Sequence, residues 1–310
     1  MKMNHFLSVA DYSEPELMHI LNVAADLKKQ LKETGHNDPI LAGKTLALVF
    51  QKASLRTRVS FEIGMHQLGG YAFYLSPDEI GLGKREAVKD VAQVLGGYVD
   101  AIMARVFQHQ HIVELAQYAG VPVINGLSDY NHPCQGMADA MTIIEEFGQL
   151  KGINVSFIGD GNNVAVSLMH ICARMGANFT IACPEGYDMP AEAITLAEKF
   201  AAESGSHLSF MRDPKEAAKG AQVLYTDTWV SMGQEAEKEI RQQVFKPYQV
   251  NQELLDIAGK DAIVMHWLPS HRGQEITDEV QDGPQSRVFP EAHNRLHAQK
   301  GVLACLLGGM

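Results

Sequence analysis

Thr45-Leu46-Ala47-Leu48-Val49-Phe50-Gln51-Lys52-Ala53-Ser54-Leu55-Arg56-Thr57-Arg58 is the stretch whose reading decides the fold. Thr45–Phe50 is a continuous apolar run of strand length. Residues 51–53 make a short loop, and a helix-like segment covers 59–68. A buried strand, a short loop and a helix start together form one half of a βαβ unit. Ser54 is a good N-cap residue. Orphan N–H groups and the helix dipole at such an end favour an anion. Arg56 and Arg58 add planar, fixed-charge donors that match phosphate oxygens. Taken alone, the same residues also describe a plain cap followed by solvated arginines.

The pattern continues outward. Ser13 and Glu16 form a capping box with Pro15 in the first turn, and Leu17, Ile20, Leu21, Ala24 and Leu27 share one helical face. Strands are predicted at 45–50, 71–75, 101–106 and 121–125, with helices at 59–68, 88–98 and 112–118 between them. A long helix is predicted over 136–147. The alternation then restarts with strands at 154–158, 179–182, 223–225 and 262–265 and helices at 165–175 and 191–203. Such alternation predicts an α/β protein with two doubly wound parallel-sheet domains. The boundaries are expected at 1–135 and 136–290, with a final helix over 291–307 in a segment 291–310 that packs back on the first domain.

Composition narrows the function. The chain has 310 residues, enough for about two domains. A hydrophobic content of 46% and a charged content of 20% fit a soluble globular protein. The net charge of −11 argues against nucleic acid as a partner. Cys134, Cys172, Cys183 and Cys305 have neither disulfide-like nor metal-like spacing and read as reduced thiols. No signal-like or membrane-spanning run is seen, so a cytoplasmic protein with no membrane partner is expected.

Polar motifs fall where predicted strands end, the edge at which open α/β sheets bind ligands. Arg56 and Arg58 follow the first strand and Arg105 closes the third. His132-Pro133-Cys134-Gln135 follows the fourth after a loop. Asp160-Gly161-Asn162-Asn163, the run from Asp227 to Gly233, and His266-Trp267-Leu268-Pro269 close strands of the second half. Six such motifs suggest one active site in a cleft between the two domains.

Together these motifs resemble the aspartate/ornithine carbamoyltransferase family, from about Phe6 to Leu307. Ser-x-Arg-Thr-Arg at residues 54–58 joined to His-Pro-x-Gln at 132–135 is specific for carbamoyl phosphate binding in that family. Asp227…Ser231-Met232-Gly233 points to its ornithine branch. The resemblance implies carbamoyl transfer from carbamoyl phosphate to the δ-amine of L-ornithine, the chemistry of arginine biosynthesis and the urea cycle. It implies no cofactor and no metal, and a homotrimer or a multiple of trimers. It assigns catalytic roles to Arg56, Arg105, His132 and Asp227. Ser54, Leu55, Arg56, Thr57, Arg105, His132, Pro133, Cys134, Gln135, Trp267, Leu268 and Arg295 are expected on carbamoyl phosphate. Asn163, Asp227, Ser231 and Met232 are expected on ornithine. A cis Leu268-Pro269 bond is expected as well.

Three positions depart from the family pattern. Trp267 stands where ornithine enzymes usually have a cysteine whose thiol helps position the amine. Either the indole turns away or the acceptor pocket is altered. Gly81 stands where a Gln or His often reaches a neighbouring subunit, with Lys84 and Arg85 nearby as substitutes. Leu55 replaces the usual Thr, which matters little if its backbone N–H makes the contact.

Alternatives remain at this level. A modified acceptor such as N-acetylornithine, N-succinylornithine or putrescine fits the same chemistry. A non-catalytic small-molecule-binding relative is another. Gly159-x-Gly161 after a strand frames a nicotinamide dinucleotide site, but Val164 occupies the third glycine position. Cys134, two residues from His132, invites a nucleophile reading that direct amine attack does not need.

Overall fold

A computed structural model describes residues 3–230 and 235–310. The chain divides into two compact units, Met1–Met141 with His293–Met310, and Thr142–Ala292. Both divisions fall inside helices, Pro133–Phe147 and Val288–Leu307. Pro133 starts the first of these helices, so it begins three residues before the predicted 136. A first-turn proline has no N–H to lose and a φ already suited to the helix.

The first unit holds four parallel strands, β1 (Thr45–Phe50), β2 (Tyr71–Leu75), β3 (Ala101–Arg105) and β4 (Val123–Leu127), in the order β2-β1-β3-β4. β1 and β3 are fully or almost fully buried along their length, as central parallel strands covered on both faces must be. β4 lies two residues beyond its predicted span. Pro122 has no N–H for the ladder, and only its carbonyl takes part, accepting from Ile102 at 2.9 Å. The β3–β4 register slips between Ala104 and Arg105, a bulge just where Arg105 leaves the sheet.

The second unit holds β5 (Asn154–Ile158), β6 (Asn178–Ala182), β7 (Leu208–Met211), β8 (Val223–Thr226) and β9 (Ile263–Met265), all parallel, in the order β7-β6-β5-β8-β9. β7 has no counterpart among the strands expected from sequence, being a four-residue edge strand of partly exposed residues. Short helices at Pro77–Ile80, Pro214–Ala218, Lys238–Phe245, Gln252–Ala258 and Asp278–Gln281 were not predicted either.

Strand order fixes where ligands belong. In the first sheet the winding reverses between β1 and β3, and in the second between β5 and β8. A crevice opens at the carboxyl ends of strands on either side of such a reversal. Residues 54–58 and Arg105 flank the first reversal. Residues 160–163 and Asp227 flank the second.

Candidate functional site

The helix after β1 runs Leu55–Gln67, four residues earlier than its apolar pattern alone suggested. Ser54 is its N-cap, accepting from the Thr57 N–H at 3.4 Å. The arginine motif is therefore the first turn of the helix. Arg56 and Arg58 part company there. Arg58 lies over the Tyr74 ring at 4.1 Å and pairs with Glu62 at 3.0 Å, so it is engaged on the helix surface. Arg56 is half-buried, and burial holds its guanidinium below its usual basicity.

Three elements converge on the buried Thr57 hydroxyl. Arg105 Nη1 donates to Thr57 Oγ1 at 3.3 Å, and Arg295 Nη2 donates to the same oxygen at 3.2 Å. Arg295 Nη1 donates to Gln135 Oε1 at 2.8 Å, and the Gln135 amide donates to Asp139 at 2.8 Å. Arg105 and Arg295 are almost wholly buried. The Arg105 Nε has no hydrogen-bond partner among the described residues. Burial, then the charges of Arg295 and Arg56, push Arg105 down to about 9. Buried cations that repel one another are costly, and an anion of high charge density would offset that cost.

His132 sits fully buried beside these cations, just before the helix that begins at Pro133. Burial, then Arg295, Arg105 and Arg56, lower its pKa far below the usual imidazole value. It is therefore neutral at physiological pH and carries one N–H to donate. Cys134 is buried, with Sγ donating to the Asn125 carbonyl at 3.4 Å. Burial pushes its thiol up to about 12. A nucleophilic cysteine needs the opposite shift, so that reading fails.

In the second unit Asn162 caps the helix Asn163–Met175, its Oδ1 accepting from Val164 and Ala165 at 3.0 and 3.1 Å. Its Nδ2 donates to Asp227 Oδ2 at 2.7 Å. An Asn just before a helix is a recognisable cap, but its second bond, to a residue 65 positions away, has no signal in the sequence. The cap also counts against the dinucleotide alternative, because first-turn donors that would hold a pyrophosphate are already taken. Gly161 has a different reason to be glycine: a Cβ there would lie 2.5 Å from the Met189 backbone nitrogen. Asn163 is the first residue of that helix.

Asp227 is buried at the end of β8. Burial raises its pKa, opposed by His266 and by hydrogen bonds from Asn162, Thr228 and Trp267. The Trp267 indole does not turn away; its Nε1 donates to Asp227 Oδ1 at 2.5 Å. His266 Nδ1 accepts from the Leu268 N–H at 2.9 Å, and its Nε2 faces Glu275 Oε1 at 3.2 Å. Glu291 accepts from the His266 N–H and from the Tyr225 hydroxyl, at 2.8 and 2.9 Å. Leu268 sits at φ 62 and its bond to Pro269 is cis. Asp160 forms a buried ion pair with Arg241, whose Nε donates to the Trp229 carbonyl at 2.5 Å. No local sequence signal links Asp227 to Trp267, His266 to Glu291 or Asp160 to Arg241, which lie 40, 25 and 81 positions apart.

Ser231, Met232 and Gly233 lie outside the described residues. Gly81 closes the helix Pro77–Ile80 at φ 52, and Arg85 donates to the Glu79 carbonyl at 3.1 Å within that same loop. No helix among the described residues is long and apolar enough to cross a membrane. Nor does any group of three or more His, Cys, Asp or Glu among them form a metal-binding cluster.

Residues 4–145 match the model of the aspartate/ornithine carbamoyltransferase carbamoyl-P binding domain, and residues 151–306 match that of the Asp/Orn binding domain. The chain is 52% identical over 310 residues to an ornithine carbamoyltransferase of Pyrococcus abyssi, covering 100% of this chain and 98% of the relative. It superposes on the ornithine carbamoyltransferase structure from Pyrococcus furiosus with a TM-score of 0.96 at 50% identity, covering 100% and 98% of the two chains. An anabolic ornithine carbamoyltransferase from Campylobacter jejuni gives a TM-score of 0.92 at 40% identity, over 98% and 99%.

Proposed function

Because the chain belongs to the aspartate/ornithine carbamoyltransferase family and is a carbamoyl transferase, we propose that it moves the carbamoyl group of carbamoyl phosphate to the δ-amine of L-ornithine. The products are L-citrulline and phosphate, and arginine biosynthesis is the direction that the naming of relatives supports. The observation that carries the donor half is the convergence of the buried Arg105 and Arg295 on Thr57 Oγ1, with the buried His132 held neutral by burial and by the charges of Arg295, Arg105 and Arg56.

Carbamoyl phosphate is a dianion with a labile mixed anhydride. Ser54, Thr57 and the first-turn N–H groups of Leu55 and Arg56 suit its phosphate, together with the guanidiniums of Arg56, Arg105 and Arg295. His132 suits the carbamoyl oxygen as an N–H donor, with Arg105 beside it. Gln135, its amide fixed between Arg295 and Asp139, suits the carbamoyl nitrogen. Pro133, Cys134 and Leu268 contribute through backbone position.

The neutral δ-amine attacks the carbamoyl carbon and a new C–N bond forms. The carbamoyl oxygen gains negative charge as it does so. The C–O bond to phosphate then breaks, and the departing phosphate takes up the proton lost by nitrogen. Donors already aimed at the developing oxyanion stabilise the transition state by about 3 kcal/mol each in other enzymes. On the acceptor side, Asp227 is a counter-charge for the α-ammonium and Asn163 suits the α-carboxylate, with Ser231 and Met232 expected beside them.

We extend the same reading to a homotrimer or a multiple of trimers. An exposed apolar stripe on the helix Leu55–Gln67 supports it, with Leu55, Val59 and Ile63 at 74, 44 and 41% exposure. The test of function is a ureido-product assay with carbamoyl phosphate and, in turn, ornithine, N-acetylornithine, putrescine and aspartate. Turnover with ornithine well above the other three is expected. Preference for any other acceptor would overturn the ornithine assignment.

A further inference from the structure

The Asp227 carboxylate is held by neutral donors. Oδ1 accepts from the Thr228 N–H at 2.6 Å and from Trp267 Nε1 at 2.5 Å. Oδ2 accepts from Asn162 Nδ2 at 2.7 Å. A carboxylate oxygen accommodates about two hydrogen bonds. Among the described residues, Oδ1 is thus filled and Oδ2 retains one acceptor direction. The charged and titratable neighbours are accounted for. Asp160 is committed to Arg241, and His266 keeps Nδ1 as an acceptor for the Leu268 N–H. No Lys or Arg pairs with Asp227 among the described residues. A buried carboxylate held this way awaits a cation that arrives with the substrate.

Trp267 is what makes the two oxygens unequal. A small side chain at this position would leave Oδ1 with an open acceptor direction, and a thiol is only a weak donor. We propose that Trp267 is a positioning residue whose indole N–H fills Asp227 Oδ1 and directs the substrate ammonium to Oδ2, favouring acceptors with a free ammonium over N-acylated ones. An acylated nitrogen carries no charge and gains little from a single remaining carboxylate direction. The proposal rests on the ornithine reading above.

Trp267→Phe and Trp267→Leu, neither of which offers a donor, test it in the full chain, by two readouts. The first is a carbon-13 NMR titration of the Asp227 carboxyl in the acceptor-free protein. Removing a donor to the charged form should move its titration to higher pH than in the unsubstituted chain. The second is steady-state kinetics. The KM for ornithine should rise about tenfold while the KM for carbamoyl phosphate changes less than twofold. The acid limb of kcat/KM for ornithine should move up, and the preference for ornithine over N-acetylornithine should narrow. Either variant suffices if the other fails to fold. An unmoved Asp227 titration, or an equal rise in both KM values, overturns the proposal. If the unsubstituted chain does not carbamoylate ornithine, the functional reading fails, and the Asp227 titration still decides whether the indole governs that carboxylate.

Discussion

Arg295 Nη2 reaches Thr57 Oγ1 at 3.2 Å across 238 residues of sequence. The same hydroxyl accepts from Arg105, so one small side chain organises two guanidiniums that repel each other. Function and stability should therefore pull in opposite directions here. Arg105→Met is expected to lower kcat/KM for carbamoyl phosphate by about 100-fold or more. In phosphate-free buffer its melting temperature should match or exceed that of the unsubstituted chain. Inorganic phosphate should raise the melting temperature of the unsubstituted chain and have a smaller effect on the variant. Calorimetry with and without phosphate checks both statements.

Arg56→Ala removes a half-buried cation at the helix start. Turnover is expected to fall more than carbamoyl phosphate affinity, because charge builds up during attack. Single-turnover kinetics beside equilibrium binding separates the two effects. Near-normal values in both would contradict the assignment.

Acid should destabilise the protein partly through buried imidazoles. His132 is held far below the usual value of 6.5 by burial and three arginines, and His297 is pushed down to about 3 by burial and by Lys300. A lowered folded-state pKa means that the unfolded chain binds more protons below 6.5. The contribution is fully present above about 6.5, declines as pH falls below it, and is gone beneath the folded-state value. Urea unfolding across pH 7 to 4 should therefore show stability falling with acid. In His297→Gln the proton uptake on unfolding should drop by close to one.

The four thiols should be inert in the folded protein. All are buried, and Cys134, Cys183 and Cys305 are pushed up to about 12, 11 and 11. Iodoacetamide at pH 8 should leave the native chain unmodified by mass spectrometry and label all four cysteines in urea. Rapid native labelling of Cys134 would contradict its burial.

Gly301 lets the helix Val288–Leu307 lie close against the helix Glu14–Thr34. A Cβ there would meet the Ile20 carbonyl oxygen at 2.6 Å and the Ala24 Cβ at 2.9 Å. Gly301→Ala should cost about 1–3 kcal/mol of stability, read from urea denaturation.

Sequence carried the strand plan well where strands are central. β1 and β5 occupy their expected spans because a strand buried on both faces is written as a continuous apolar run, and β2, an edge strand, does so because Tyr71–Leu75 is apolar throughout. β7 is an edge strand as well, but it has only four residues and Ser209 interrupts them, so it leaves no continuous apolar run. Helix starts were placed late at Leu55, Pro133 and Asn163, since the first turn there is built from polar motif residues rather than apolar periodicity. Arg56, Arg105, His132, Gln135 and Arg295 could be named in advance through the family resemblance. The roles of Asn162, Glu275 and Glu291 could not, because a hydrogen bond between distant residues leaves no periodic trace. Trp267 was visible as a departure, but only geometry shows that its indole meets Asp227.

The long separation between Thr57 and Arg295 bears on the order of synthesis. A growing chain makes both sheets before the helix that carries Arg295 leaves the ribosome. Until then the nascent first unit holds Arg56 and Arg105 without their third cation and without the helix that packs over residues 20–24. The cluster of guanidiniums around Thr57 is thus completed only when the polypeptide has been read through to its late helix.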